Sequence, residues 1–198
     1  MADLVIKPTS GNLIIKDDQN VARLTIAPTS GATTLSNVTA GTITSGVTFP
    51  TGHILQVIHS STTTETVCTG GYQATALSAT ITPRSTSSKV LILIGASLMT
   101  RNTSNNDGLM KLKIYSNGGA GGDGSGTFAA ISDEQTHRGY DYGGSGINVN
   151  HMNAINWLDS PNLAVPVIYK LYMKMVNGTD VRLNDGSSST IDLLEIAG

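Results

Sequence analysis

The sequence predicts an all-β protein, and three observations predict it. The composition is rich in Gly (22), Thr (25) and Ser (20) with only 13% charged residues, a mixture that favours strands and tight turns over helices. Apolar residues recur with a period of two, in segments separated by turn residues. No window carries an apolar stripe at i, i+3, i+4 and i+7 for more than one turn. At 198 residues the chain has the length of one ordinary domain with an appendage, or of two small domains.

The first 50 residues form the appendage. Leu4-Val5-Ile6-Lys7-Pro8-Thr9-Ser10-Gly11 returns 20 positions later as Leu24-Thr25-Ile26-Ala27-Pro28-Thr29-Ser30-Gly31. A second short stretch follows each copy, Leu13-Ile14-Ile15 after the first and Thr33-Thr34-Leu35 after the second, so the repeating unit reads as strand, turn, strand. A degenerate third stretch, Val38 to Phe49, closes at Pro50-Thr51-Gly52. So short a segment with so few large side chains buries too little to offset its own ordering. Three copies around a shared axis would cover Leu4, Ile6, Leu24, Ile26 and Ile43 and pair the strand edges between chains. A Thr-rich arm without fixed structure is the alternative that the same low hydrophobicity permits.

From 51 to 198 the pattern is that of a β-sandwich, jelly-roll-like, forming a head domain. Strands are expected at His53 to Ser60 and at Gln73 to Thr82, the latter ended by Pro83. Lys89 to Thr100 contains Val90-Leu91-Ile92-Leu93-Ile94, a continuous apolar run that predicts a central strand covered on both faces. Leu109 to Ser116 alternates Met110, Leu112 and Ile114 with Lys111 and Lys113, giving one buried face and one wet face. Thr127 to Ser132 and Ile147 to Leu158 follow. In the second, Val149, Ile155 and Trp157 share one side and Met152, Ala154 and Leu158 the other, while His151 and Asn153 suggest a partly wet or intersubunit surface. Val165 to Val176 sets Val167, Tyr169, Leu171, Met173 and Met175 against Lys170 and Lys174. Asn177-Gly178 then predicts a hairpin into Val181-Arg182-Leu183. Thr190 to Ile196 is expected to be a buried closing strand.

Charge and motifs exclude several functions. The net charge is −2, and the 12 Lys and Arg are scattered along the sequence without a basic stripe, so nucleic acid is not an expected partner. The single cysteine, Cys68, forms no internal disulfide and sits beside Val67 as a buried thiol would. The start lacks a signal-peptide pattern, and no 18 apolar residues run together, so synthesis in a cytoplasm without membrane insertion is expected. The sequons at Asn37, Asn102 and Asn177 are chance matches in a Thr-rich chain.

Paired catalytic carboxylates would have to share a face. Asp133 and Glu134 are adjacent and point to opposite faces of a strand, and Asp141 and Asp159 stand alone in turn-like stretches, so no enzyme and no cofactor are expected. His53 and His59 are six residues apart on one strand, roughly 20 Å, too far for shared ligation. His137 or His151 could meet symmetry mates on a threefold axis. The Gly-rich run Asn117 to Gly126 lacks the Gly-Lys-Ser/Thr of a phosphate cradle and reads as a flexible loop. A second loop, Arg138 to Gly146, places Tyr140 and Tyr142 around Asp141. With Arg138 these form the candidate receptor-binding residues, the rings stacking on sugar faces and the charged groups bonding hydroxyls.

Three phrases carry a family resemblance: Val5-Ile6-Lys7-Pro8-Thr9-Ser10-Gly11; Thr44-Ser45-Gly46-Val47-Thr48-Phe49-Pro50-Thr51-Gly52-His53-Ile54-Leu55-Gln56-Val57; and Ile81-Thr82-Pro83-Arg84-Ser85-Thr86-Ser87-Ser88-Lys89-Val90. With Asp159-Ser160-Pro161 before the Tyr169-Lys170 strand, and the ending Ile191 to Gly198, the chain resembles the tail-fibre-like structural proteins of marine tailed phages, the cyanophage type. The resemblance implies a virion component made in the host cytoplasm, a homotrimer docked to other virion proteins through its N-terminal arm. Its head would face the host surface, including surface glycan. A capsid or tail decoration protein without receptor binding is the competing expectation.

Overall fold

The computed structural model describes residues 13–16, 18–19, 22–26, 33–35, 49–103, 107–118, 127–140 and 146–198. Two compact units divide the chain at Thr48 and Phe49. The described residues are all-β, in antiparallel sheets.

In the first unit, β1 (Leu13–Lys16), β2 (Ala22–Ile26) and β3 (Thr33–Leu35) form one sheet in the order β1-β2-β3. The repeat places them: β1 is the second stretch of the first copy, and β2 and β3 are the two stretches of the second. Leu24 pairs with Ile15 and Leu35, and Ile26 with Leu13 and Thr33. These pairings lie within one chain. Ile14 and Ile15 are exposed. Leu4, Ile6 and Ile43, the other expected shaft-core residues, lie outside the described residues.

The second unit contains β4 (Ile54–Thr62), β5 (Thr66–Cys68), β6 (Gln73–Ile81), β7 (Lys89–Asn102), β8 (Asp107–Ser116), β9 (Ala129–Ala130) and β10 (Gln135–Tyr140). It continues with β11 (Ile147–Asp159), β12 (Val167–Asn177), β13 (Asp180–Leu183) and β14 (Ser189–Ile196). Four pairings are nested one inside another along the chain: β4 with β14, β6 with β12, β7 with β11, and β8 with β10. Successive pairs alternate between two sheets. One sheet runs β11-β7-β14-β4, with β13 and β5 continuing beside β14 along the same edge of β7; the other runs β10-β8-β12-β6.

Alternation along each strand makes the core. Val90, Ile92, Ile94, Ala96 and Leu98 of β7, with Ile191 and Leu193 of β14, pack against Met110, Leu112 and Ile114 of β8, Val167, Tyr169, Leu171 and Met173 of β12, and Leu77 and Ile81 of β6. Glu195 continues the inward phase of β14 and is fully buried. Its carboxylate accepts from Gln56 Nε2 (2.7 Å) and from the backbone N–H of Arg84 (2.6 Å), which satisfies both oxygens where an apolar residue would otherwise stand.

Four expectations need correction. The Val90–Ile94 run of β7 is central, flanked by β11 on one edge and by β14 on the other, but only its even-numbered residues are buried; Leu93 is exposed on the outer face. Asn177-Gly178 is not a hairpin turn, because β12 pairs with β6 and β8 while β13 pairs with β7 and β5. Gly178, at φ +128, stands where an added Cβ would lie 2.8 Å from the Arg101 carbonyl, and Thr179 N–H donates to that carbonyl (2.7 Å), carrying the chain from one sheet to the other. The expected Thr127 to Ser132 strand is reduced to β9. Finally, β10 is a strand that takes in the start of the expected Arg138 to Gly146 loop, so Arg138 and Tyr140 are strand residues.

Candidate functional site

The outward face of the β10-β8-β12-β6 sheet gathers aromatic and cationic side chains. Because Met110, Leu112 and Ile114 point inward, Lys111, Lys113 and Tyr115 of β8 must point outward. On β12 the same rule turns Lys170, Tyr172 and Lys174 outward. The two strands are neighbours, and their register sets Lys113 against Tyr172, Tyr115 against Lys170, and Lys111 against Lys174.

Four rings form a continuous row. Tyr115 and Tyr172 stack with centroids 3.9 Å apart at 24°; Tyr72 leans on Tyr115 at 6.2 Å, and Phe128 on Tyr172 at 6.4 Å. Lysines flank both ends. Lys113 Nζ and Lys174 Nζ lie 5.5 and 5.8 Å from the centre of the Tyr72 ring, and Lys170 Nζ lies 5.3 Å from that of Phe128, within the range of cation–π attraction. Tyr72 O–H donates to Glu134 Oε2 (2.6 Å), and Glu134 also pairs with Lys111, which offsets the like-charge contact of Lys111 with Lys174.

Protonation follows from this geometry. Burial, then the hydrogen bond and charge of Glu134, push the Tyr72 hydroxyl well above its ordinary value; burial and Tyr115 raise that of Tyr172. Hydrogen bonds from Lys111 and Tyr72 hold the Glu134 carboxyl below its usual range. At neutral pH the site therefore presents neutral phenols, cationic lysines and one carboxylate. It offers aromatic surface beside positive charge.

Two of the expected receptor-binding residues share this face. On β10, His137 and Gly139 turn inward, so Arg138 and Tyr140 turn outward beside β8, both exposed. Arg138 Nε lies 3.2 Å from Asp107 Oδ1; since that oxygen has no aligned hydrogen-bond donor among the described residues, the contact is one of charge. Asp141 and Tyr142 lie outside the described residues. The lysine–tyrosine row itself was missed because each strand was read alone. A signal existed in Lys-X-Lys-X-Tyr (111–115) and Lys-X-Tyr-X-Lys (170–174), which place one chemistry on alternate positions of two strands. Four of the cations that look scattered in sequence are thus neighbours in space, which corrects the reading that the charge has no focus.

The outer face of the other sheet is different in kind. Val57, Leu194, Leu91 and Leu158 stand in register across β4, β14, β7 and β11 and form an apolar row the full width of the sheet. Val57 is 58% and Leu158 50% exposed. Beside the row lie exposed Leu93 and the His59–Asp192 pair, with Nδ1 and Oδ1 2.6 Å apart.

The remaining candidates hold structure together. His137 Nε2 is 2.7 Å from Asn153 Nδ2 on β11, and His151 Nε2 is 3.5 Å from Thr100 Oγ1 on β7, so both rings face the gap between the sheet edges. Burial lowers the pKa of both, and His151 adds to the lowering of His137. Convergence of either ring with symmetry mates on an axis conflicts with these inward contacts. Cys68 is buried, its thiol directed at the carbonyls of Gly71 and Met173. Among the described residues no group of three or more His, Cys, Asp or Glu is placed to hold a metal ion, and no helix is long and apolar enough to cross a membrane.

No family model matches the chain, and no curated protein matches it. Three solved structures are similar in part. The VP2 subviral particle of infectious bursal disease virus has a TM-score of 0.37 at 14% identity, covering 72% of this chain and 33% of that one. The Gt strain of the same virus gives 0.35 at 11%, covering 88% and 47%. The Gx strain gives 0.27 at 13%, covering 72% and 37%. This chain therefore spans between a third and a half of those chains, and at such TM-scores no role is taken from them.

Proposed function

We propose that this chain is a virion structural protein, a homotrimeric tail-fibre-type adhesin in which residues 1–50 form the shaft or attachment arm and 51–198 form a jelly-roll head. It acts by assembly and multivalent binding, without catalysis. The single observation that carries the reading is the apolar row Val57, Leu194, Leu91 and Leu158 across four strands of one sheet, exposed at both ends and half-buried in the middle. An exposed apolar band of this extent marks an association surface. Ile14 and Ile15 of β1 are also exposed, one on each face of their sheet.

The strand order supports the jelly roll. Numbering the eight strands of the nested pairs from β4 to β14, one sheet holds the sixth, third, eighth and first, and the other the fifth, fourth, seventh and second. That order arises when one long hairpin is rolled up. The resemblance of the sequence phrases to marine phage tail-fibre proteins supports the place on the virion, and the sheet face rich in Tyr and Lys supports host contact.

Light scattering on the purified chain tests the assembly. A mass of three times 20.6 kDa supports the reading. Substituting Leu158→Lys together with Val57→Glu should then release monomers that keep their β-sheet circular dichroism. A wild-type monomer rejects the trimer and moves the assignment to a capsid or tail decoration protein, with immunolabelling of whole particles locating it on fibre or capsid.

A further inference from the structure

We infer that the outward face of the β10-β8-β12-β6 sheet is a binding site for an anionic polysaccharide, the lysines drawing its carboxylate or sulfate groups while the tyrosines pack against its sugar rings. The inference rests on the adhesin reading and names the ligand class for it.

Three features point to this chemistry. Cations are concentrated: Lys111, Lys113, Lys170, Lys174 and Arg138 face Glu134 and Asp107, five against two, in a chain of net charge −2. Counting Asp133, the chain neighbour of Glu134, still leaves five against three. The patch is linear. Lys111 with Lys174, Lys113 with Tyr172 and Tyr115 with Lys170 are successive rows, and four residues of strand separate the first from the last, roughly 13 Å. A charged polymer laid along β8 and β12 meets a cation at every row.

The third feature is the aromatic row between the cations. The Tyr115–Tyr172 stack and its neighbours hold one another upright on a pleated sheet, so ordering them on binding costs little side-chain entropy. The raised hydroxyl pKa values keep Tyr72 and Tyr172 as neutral phenols, so no phenolate repels the ligand. Their partly exposed rings, with the faces already covered, offer C–H edges against which a sugar can pack. A single-stranded nucleic acid would also be drawn by charge, but it needs open ring faces onto which bases can stack. Here the two central rings stack on each other, and the outer two carry lysine ammonium groups over their faces. These favour edge contact with a polysaccharide.

Calorimetric titration of the full chain decides it, using alginate oligomers as the polyuronate, a neutral β-glucan, and an oligothymidylate. The polyuronate should bind with an affinity that falls as salt rises, and the neutral glucan should not bind. K113Q with K170Q should weaken polyuronate binding at least tenfold with an unchanged melting temperature, and K113R with K170R should restore it. Absence of polyuronate binding overturns the inference, as does equal binding by the glutamine variant or tighter binding of the oligothymidylate. Light scattering on the same samples separates the two readings. A three-chain mass without polyuronate binding rejects this inference alone; a one-chain mass with binding rejects the trimer alone.

Discussion

Gly139 of β10 stands directly opposite Gly108 of β8, and both back onto Thr100 of the facing sheet. A Cβ added at Gly139 would lie 2.3 Å from Thr100 Oγ1 and 3.1 Å from Val149 Cβ; one added at Gly108 would lie 3.0 Å from Thr100 Cβ and from Ile147 Cδ1. The paired glycines are there for room. They let the two sheet edges close together, and alternation along β10 sets Arg138 and Tyr140 outward on the lysine–tyrosine face.

Gly139→Ala should therefore destabilise the head by about 1 to 3 kcal/mol, the usual cost of overpacking. Urea unfolding measures it. Thr100→Ala removes the obstructing hydroxyl, so the double variant should lose less stability than the sum of the two single changes, and strict additivity would place the strain elsewhere.

Asp180 is buried between two arginines, accepting from Arg101 Nε (2.8 Å) and Arg182 Nε (2.9 Å). Burial opposes its charge, but the hydrogen bonds and charges of Arg182 and Arg101 outweigh it and hold the carboxyl below its ordinary 3.8. A lowered folded value means that its stabilisation is complete above 3.8 and is lost as the pH falls through the folded value. Asp180→Asn should cost about 3 kcal/mol at pH 7, the low end for breaking a buried pair because Arg101 is 38% exposed. It should also flatten the acid limb of stability below pH 3.8, read by chemical unfolding from pH 6 to pH 2.

His137 and His151 behave in the same sense at a higher pH. The fold holds both rings neutral, their pKa values below the ordinary 6.5. Neutral rings bind no extra proton above 6.5, so stability there is independent of them. As the pH falls below 6.5 the unfolded chain takes up protons first, and stability declines until the folded values are passed. The melting temperature should fall between pH 6.5 and pH 5, and less steeply in a His137→Asn, His151→Asn variant. An equal slope in both proteins would assign the decline to other groups.

Removal of residues 189–198 should abolish cooperative unfolding. β14 lies between β4 and β7, so its loss separates two paired strands and strips Glu195 from Gln56 and Arg84. Circular dichroism with thermal melting tests this, and a sharp melt in the truncated protein would contradict the pairing.

Strand existence and facing were legible in the sequence because they are local. The alternation of Met110, Leu112 and Ile114 with Lys111 and Lys113, or of Val167, Tyr169, Leu171 and Met173 with Lys170 and Lys174, states which side is buried without any knowledge of the partner strand. Cys68 as a buried thiol and the closing strand β14 were legible for the same reason.

Partnership was not local, and only the tertiary structure decided it. Asn177-Gly178 carries the strongest hairpin signal in the sequence, yet β13 bonds to β7, where Asp180 meets Arg101. Gly139 looks like loop punctuation until Thr100 of the opposite sheet comes within reach of its Cα. The Lys and Tyr residues of two strands about sixty positions apart become one face only when β8 and β12 pair. A residue's side of its strand follows from its neighbours in the chain, whereas the chemistry of a sheet face follows from which strands lie side by side, a choice made by the packing of the whole core.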